Sequence, residues 1–545
     1  MLKKFSALAV AGLIALPGFA LAASGKSQTD LERKIEALER QLQELKTQVR
    51  QQNEEIKTQV GKQNEAISKY GDKVDSIDST IEEKSEKWDL ASRFQFNGDY
   101  RGRFDYYKAD RVLAAGTPLY MSDTPYGTHN PMSSDGTYRA PGDQKNDTLM
   151  TNRLRLNMQT KVTENVDFKG RLTMYKVWGM ETQLDGTNGG FPLFDGSTTR
   201  TPSDSGLYVD RAFVNWNNIG GAPVWFSVGR RPTTDGPPAQ LRMNNDERMA
   251  TPVGYMDYPF DGLTIGYGYS WGNNALGDGR IRFCYGRGFE NGLQNDVNNP
   301  LWTSDTDFAG FNWDIFQQGP RFLNLQVFGA FNLFSYPAFN SDLVNSPMGA
   351  PNIYGTQQNL GNIFHTSALY MDKVQNLNYF IAGGWSRTDP NKNGMFNSLD
   401  MMAGRIVPNT SSENGYSVYL GVRYDIDEIG LKLGAEYNHG SQYWISFSPG
   451  NDDIYMSKLA TRGNVYELYL IYDLPTGKAL SQYAKTFIRL GWQHYDYDYS
   501  GYFDWNIKPF DLGDNSMMNQ MGMAALGVND VKRADQIYVT FEVYF

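Results

Sequence analysis

From Arg93 to its last residue the chain keeps returning to one pattern: apolar and polar side chains alternate with a period of two. That is the repeat of a β-strand, whose successive side chains point to opposite faces. In RFQFNGDYRGRFDYY, Phe94, Phe96, Tyr100, Phe104 and Tyr106 share one face, and Gln95, Asn97, Asp99, Arg101, Arg103 and Asp105 share the other. TNRLRLNMQTKV sets Leu154, Leu156, Met158 and Val162 against Arg153, Arg155, Asn157, Gln159 and Lys161. FKGRLTMYK sets Phe168, Leu172 and Met174 against Lys169, Arg171 and Thr173. Pieces of the same kind follow, among them GLTIGYGY, GRIRFCYG, RFLNLQVFGAF, YSVYLGVRY, NVYELYLIY and TFIRLGWQ. The final ten residues, QIYVTFEVYF, place Ile537, Val539, Phe541, Val543 and Phe545 on one face. A bare apolar edge invites aggregation, so this strand needs both a partner and a cover.

The spacing between strands says what supplies them. Phe104 is followed by a long polar stretch rich in Pro, Gly, Ser and Asp before Thr151, and then Thr163 to Val166 makes a tight turn. Another long Gly- and Thr-rich segment follows Met180, and Asn217 to Gly221 is short again; Asp427 to Gly430 and Asp473 to Gly477 are short as well. A soluble sandwich would show more even spacing and cores of Val, Ile and Leu. Alternating long and short connections belong to transmembrane barrels. In hydrocarbon every backbone group must be paired, so strands survive there only in a closed ring. The expected fold is an all-β transmembrane antiparallel barrel, with an even number of strands, roughly 16 to 20, preceded by an α-helical coiled coil. Lipid covers the face of Phe541 and Phe545, and the first strand, near Phe94 to Tyr106, closes the ring.

The N-terminal part reads differently. Lys3 and Lys4 precede an apolar stretch from Phe5 to Phe19 and then Ala20-Leu21-Ala22, the layout of a secretory signal, expected to occupy residues 1–22. From Gln28 to about Trp88 the composition shifts to Glu, Gln, Lys and Leu, with Leu31, Ile35, Leu38, Leu42, Leu45 and Val49 spaced in steps of three and four. The phase passes Ile56, takes one stutter to Val60, and resumes through Ile67, Tyr70, Val74, Ile77, Ile81 and Trp88. This is a coiled-coil seam, a rod of roughly 90 Å. A lone stripe has nothing to bury itself against, so self-association is expected, a trimer being favoured; a hairpin folded back at Gly61 or Gly71 is the alternative. The domains expected are therefore 1–22 signal, 23–90 periplasmic coiled coil and 91–545 outer-membrane barrel.

An export signal, a coiled coil and a barrel-sized set of strands together resemble the sugar- and phosphate-specific porins of Gram-negative outer membranes that carry N-terminal coiled coils. The phrases R-L-R-L (Arg153 to Leu156) and V-D-R-A-F-V (Val209 to Val214), and the terminal Phe545, carry that likeness. The chain also resembles porin-like proteins of bacteria that respire metals or sulfur. The resemblance implies an outer-membrane channel for small hydrophilic solutes.

Large barrels are selective through charged side chains that point inward. The wet faces carry Arg101, Arg103, Arg153, Arg155, Lys161, Lys169, Arg171, Arg211, Arg280 and Arg282, against Asp99, Asp105, Glu436, Glu467 and Glu542. This predicts a basic wall facing acidic groups and a preference for anions; the competing reading is that these arginines pair with acids and only stiffen the lumen. In one loop, Asp389, Asn391, Asn393 and Asp400 have the spacing of a calcium loop, although an Asx-rich turn fits as well. Met517, Met518, Met521 and Met523 suit a short amphipathic helix at the barrel mouth.

The chain is expected not to be an enzyme. Its four His, at 129, 365, 439 and 494, show no metal-ligand spacing, and no G-x-S-x-G elbow occurs. No cofactor is expected: Cys284 is the single cysteine and no C-x-x-C-H attaches a haem. A net charge of -10 argues against nucleic acid. Expected partners are outer-membrane lipid, copies of the same chain and small hydrophilic solutes. Two alternatives to the channel are a sheath around multihaem c-type cytochromes and a structural or adhesive protein tied to the envelope by its rod.

Overall fold

Sixty-odd residues without a turn-forming cluster fold as one element before the first strand begins. The computed structural model describes residues 28–119, 138–140, 142–181, 194–195, 199–231, 233–245, 256–292, 304–335, 359–400, 405–450, 452–454, 457–477, 479, 481, 483–501, 504–525 and 530–545; the expected signal, 1–22, lies outside them. The chain divides into two units, Met1–Ala91 and Ser92–Phe545. Helix α1, Gln28–Arg93, has 66 residues and so runs for roughly 100 Å. It passes unbroken through Gly61 and Gly71, so the hairpin is not adopted. Leu38, Leu42, Leu45, Ile67 and Tyr70 of its seam are exposed in the single chain, which leaves the stripe uncovered.

The second unit is a closed antiparallel barrel of 16 strands. They are β1 Phe94–Arg111, β2 Gln144–Lys161, β3 Val166–Val177, β4 Tyr208–Trp216, β5 Val224–Arg230, β6 Asp261–Ser270, β7 Asp278–Phe289 and β8 Thr306–Gln318. After them come β9 Arg321–Phe334, β10 Asn359–Val374, β11 Leu377–Pro390, β12 Asn414–Ile426, β13 Leu431–Gly440, β14 Gly463–Asp473, β15 Lys485–Tyr497 and β16 Val531–Tyr544. Each pairs with its sequence neighbours, and β1 pairs with β16 from Asp99↔Tyr544 to Arg111↔Val531. Connections such as 319–320, 375–376 and 427–430 gather at one end, and long ones such as 231–260, 441–462 and 498–530 at the other. The tightest turns need left-handed backbone, supplied by Gly319 (φ 53°) and Gly430 (φ 65°).

Alternation sorts the side chains. Val228, Ile265, Phe311, Val327, Ile381, Val422, Leu468, Leu490, Val539 and Phe541 are exposed outward around the ring, while Arg101, Asn324, Glu467 and Gln493 are buried inward. An apolar exterior on every strand is what lipid requires. No described helix is long and apolar enough to cross a membrane.

Phe545 completes the seam. Its N–H donates to the Gly98 carbonyl (3.0 Å) and its carbonyl accepts the Gly98 N–H (2.9 Å). Its ring lies on Gly98, where an added Cβ would sit 2.5 Å from the Arg155 carbonyl oxygen and 2.8 Å from the ring. The first obstacle is backbone and cannot rotate away. Gly98→Val is therefore expected to destabilise the closed barrel by about 1–3 kcal/mol through overpacking. The measurement is the urea midpoint in detergent, followed by the heat-dependent gel shift of the folded barrel; an unchanged midpoint would show that the seam tolerates the side chain.

Candidate functional site

The inward faces form two arcs of opposite charge. Arg101 and Arg103 on β1, Arg153 and Arg155 on β2, Arg171 on β3, Arg211 on β4, Arg282 on β7 and Arg489 on β15 are all buried. Arg280 and Lys169 are part-exposed, with side-chain exposures of 38% and 41%. Lys161 shares the face of Arg155 but is exposed at the end of β2, beside the short turn. Opposite stand Glu436 on β13 and Glu467 on β14, also buried.

The two arcs do not face each other across open water. The described parts of two long connections, 233–245 with 256–260 and 441–450 with 452–454 and 457–462, fold into the lumen, and each carries charge of both signs. On the first, Asp235 meets Arg171 (2.6 Å), Arg155 (3.0 Å), Arg211 (3.5 Å) and Arg200 (3.5 Å). A one-turn helix, α2 (Ala239–Arg242), then carries Arg242 to Glu467 (2.9 Å) and Asp453 (3.0 Å). Beyond it Asn244 accepts from Lys432 (2.6 Å) and donates to Asp473 (2.7 Å), near the short-turn end. On the second connection, Asp452 pairs with Arg101, with Arg489 (2.9 Å) and with Arg153 (3.1 Å). Lys458 of the same connection reaches Glu436 and Glu467. Burial pushes the Asp235 carboxyl up, but Arg171, Arg155, Arg200 and Arg211 outweigh it and hold the group well below the ordinary carboxylate range. Asp452 is held down in the same way, burial being outweighed by Arg101, Arg489 and Arg153. Both loop carboxylates are thus charged braces at any physiological pH.

Other pairs lie within the wall: Arg103 with Asp105 (2.8 Å), Arg155 with Asp99 (2.7 Å), Arg171 with Asp210, and both Arg280 and Arg282 with Asp314. The simple picture of a bare basic wall facing acids is therefore replaced by a braced lumen, because a buried guanidinium without a counter-charge is costly. Sequence reading missed Asp235, Arg242, Asp452 and Lys458, since nothing local in a polar loop says that it turns inward.

At the long-loop end the braces give way to an apolar cluster. Phe194 packs edge-on to Phe308 (5.4 Å), Tyr258 (5.5 Å) and Phe334 (5.6 Å), with Phe447 and Trp505 alongside. The Trp505 indole N–H donates to the Phe334 carbonyl (2.9 Å). Among the described residues lie cavities of about 550, 880 and 440 Å³. The first and third share Lys169 and Arg211, and the second and third share Gln240 and Lys485, so they adjoin.

The loop with calcium-like spacing follows β11. Asp389 accepts from Asn362 (3.2 Å), Asn391 Oδ1 accepts the Asn393 N–H (2.8 Å), and the Asn391 and Asn393 amides both donate to the Asn359 carbonyl. This is an Asx turn knitting β11 to β10; the Asp400 side chain lies outside the described residues. Among the described residues no cluster of His, Cys, Asp or Glu is placed to hold a metal. Helix α3, Met517–Ala525, buries Met523 and leaves Met517, Met518 and Met521 exposed.

Residues 143–545, which hold every barrel strand but β1, match a family model described as "Protein of unknown function (DUF3373)". The chain belongs to the DUF3373 family. No curated protein matches it. Solved structures similar to the DUF3373 barrel include OprB of Pseudomonas putida, 11% identical over 85% of this chain and 97% of that one, with a TM-score of 0.40. OmpF of Salmonella typhi, in complex with daunomycin, is 10% identical over 83% and 97%, with a TM-score of 0.38. OmpT of Vibrio cholerae is 9% identical over 83% and 97%, with a TM-score of 0.38. What makes the DUF3373 chain a porin-like outer-membrane barrel is its own closed sheet of 16 strands with a lipid-facing exterior. The expectation that it is not an enzyme does not hold as stated, because a barrel fold does not decide whether catalysis occurs.

Proposed function

We propose that the DUF3373 barrel is an outer-membrane channel for small hydrophilic anions, held narrow by its own connections 231–260 and 441–462. The observation that carries this reading is the bracing of those two connections between a basic and an acidic arc, which leaves adjoining cavities rather than a free bore. Desolvated arginines along the remaining path favour anions over cations. A cavity of about 880 Å³ is of a size for a small solute, which supports the channel reading. In this reading the long connections face the exterior. The exposed stripe of α1 associates as a coiled coil in the periplasm, most simply in a trimer.

The test is the reversal potential of the purified full chain in planar bilayers under a potassium chloride gradient. Chloride preference with small unitary steps is expected, and a chain lacking residues 28–88 is expected to keep both. Cation preference would overturn the anion reading, and a silent barrel would overturn the channel.

A further inference from the structure

One cavity has a chemistry that the bracing does not explain. The 550 Å³ space lies against the inner faces of β3 to β9. Five cations line it, Lys169, Arg211, Arg231, Arg280 and Arg282, and no Asp or Glu occurs among its described lining residues. Its neighbours differ: the 440 Å³ cavity includes Asp99 and Asp235, and the 880 Å³ cavity includes Asp372, Asp425, Asp427 and Asp473.

The cations are not equally compensated. Arg280 and Arg282 share Asp314, which sits beside them on β8 and does not line the space. Arg211 has its nearest carboxylates at 3.5 and 4.0 Å. Arg231 makes no ion pair among the described residues. It donates to the Ser227 hydroxyl, and its guanidinium lies 5.1 Å from the centroid of the Phe213 ring. A part-buried guanidinium without a counter-charge is a standing cost that an incoming anion would relieve, with bidentate geometry available. Rings also line it, Phe213, Trp225, Phe260, Phe308 and Phe328, beside polar groups such as Asn312 and Gln326. A volume of this size holds a small organic molecule.

We infer that this cavity is a binding site for a small organic anion with an apolar, ring-sized body, an aromatic carboxylate being the simplest case, with Arg231 as the anchor of the carboxylate. Chloride or phosphate would use the charge and waste the aromatic wall; a neutral ring would use the wall and leave Arg231 unpaired. The site deepens the channel reading and rests on it for a route in.

The chain carries its own reporter. Cys284, its single cysteine, lines the same cavity, with the Thr264 hydroxyl 3.4 Å from its sulfur. The experiment measures how fast Cys284 in the intact full chain reacts with a sulfonate-bearing methanethiosulfonate and with its trimethylammonium counterpart, alone and with benzoate, acetate or benzamide. The sulfonate reagent should react faster, and benzoate should protect at concentrations where acetate and benzamide do not. In Arg231→Gln the protection should vanish and the two rates converge, with the heat-dependent gel shift checking that the variant folds. Equal rates, a faster cationic reagent or an unreactive thiol would overturn the site, as would equal protection by benzamide (an apolar pocket only) or by acetate (a general anion funnel only). Because the readout is labelling rather than current, a chain that conducts nothing yet is protected by benzoate keeps the site and loses the channel.

Discussion

A chain in which residues 233–257 are replaced by a short glycine linker is expected to pass several-fold more current than the intact barrel while keeping all its strands. The ends of the excised segment already meet: the Arg231 N–H donates to the Phe260 carbonyl at 2.9 Å. Strands β5 and β6 stay paired from Val224↔Tyr267 to Arg230↔Asp261 without it. Removing the segment takes away Asp235, Arg242 and Asn244, its ties to both charged arcs. The arginines it neutralised, Arg155, Arg171 and Arg211, then face water rather than protein, so their charge is solvated and no buried unpaired cation results. A barrel of this size without an internal obstruction has an aqueous lumen. Chloride preference should sharpen, since the acidic brace is gone. Single-channel recording checks both effects; unchanged conductance would mean that this connection does not set the bore.

Asp452→Asn is expected to loosen the second connection without opening the barrel. Asp452 sits among Arg101, Arg489 and Arg153. With its charge removed, Arg489 keeps Glu542 (3.1 Å) and Arg153 keeps Asp99 (3.4 Å), but Arg101 is left with the Tyr175 hydroxyl (3.1 Å). Breaking a buried pair on one side costs about 3–5 kcal/mol, toward the low end here because water can enter a lumen. A carboxyl held below its ordinary range contributes stability that is present above about pH 4 and lost only as pH falls through its own lower value. The difference between the intact chain and the variant should therefore be flat from about pH 5 to 8 and shrink only in stronger acid. Urea unfolding in detergent at several pH values measures it. A difference that varied across neutral pH would mean that another group, not Asp452, holds the loop.

How far the sequence reached has a physical explanation. Faces were legible because the pleat forces them: once Arg153 points inward, Leu154 must point outward. Closure was legible because an apolar strand such as Ile537 to Phe545 is tenable only with a partner and a lipid cover. The uninterrupted path of α1 through Gly61 and Gly71 was not, since two glycines in a long helix cost too little to decide. Depth along a strand was also hidden, which is why Lys161 and Arg155 share a face but not an environment. Pairs along the wall, such as Arg103 with Asp105, could be read from a shared face, but what the inward arginines meet across the lumen was hidden. Their partners Asp235 and Asp452 come from connections whose course depends on charges far away in the chain. Loop residues obey no period, so only the folded barrel brings these complements together.

The central claim is that the described parts of the connections between β5 and β6 and between β13 and β14 are fixed inside the barrel. Amide hydrogen exchange on the full chain in detergent tests it most directly. Within them the Trp444 N–H donates to Ser441, the Ile445 N–H to Ser386 and the Asp257 N–H to Phe447, and Trp444, Ile445 and Phe447 are fully buried. Exchange at residues 257, 444, 445 and 458 as slow as in β13 and β14 is the predicted result. Exchange there as fast as at an exposed loop such as 271–277 would contradict the account.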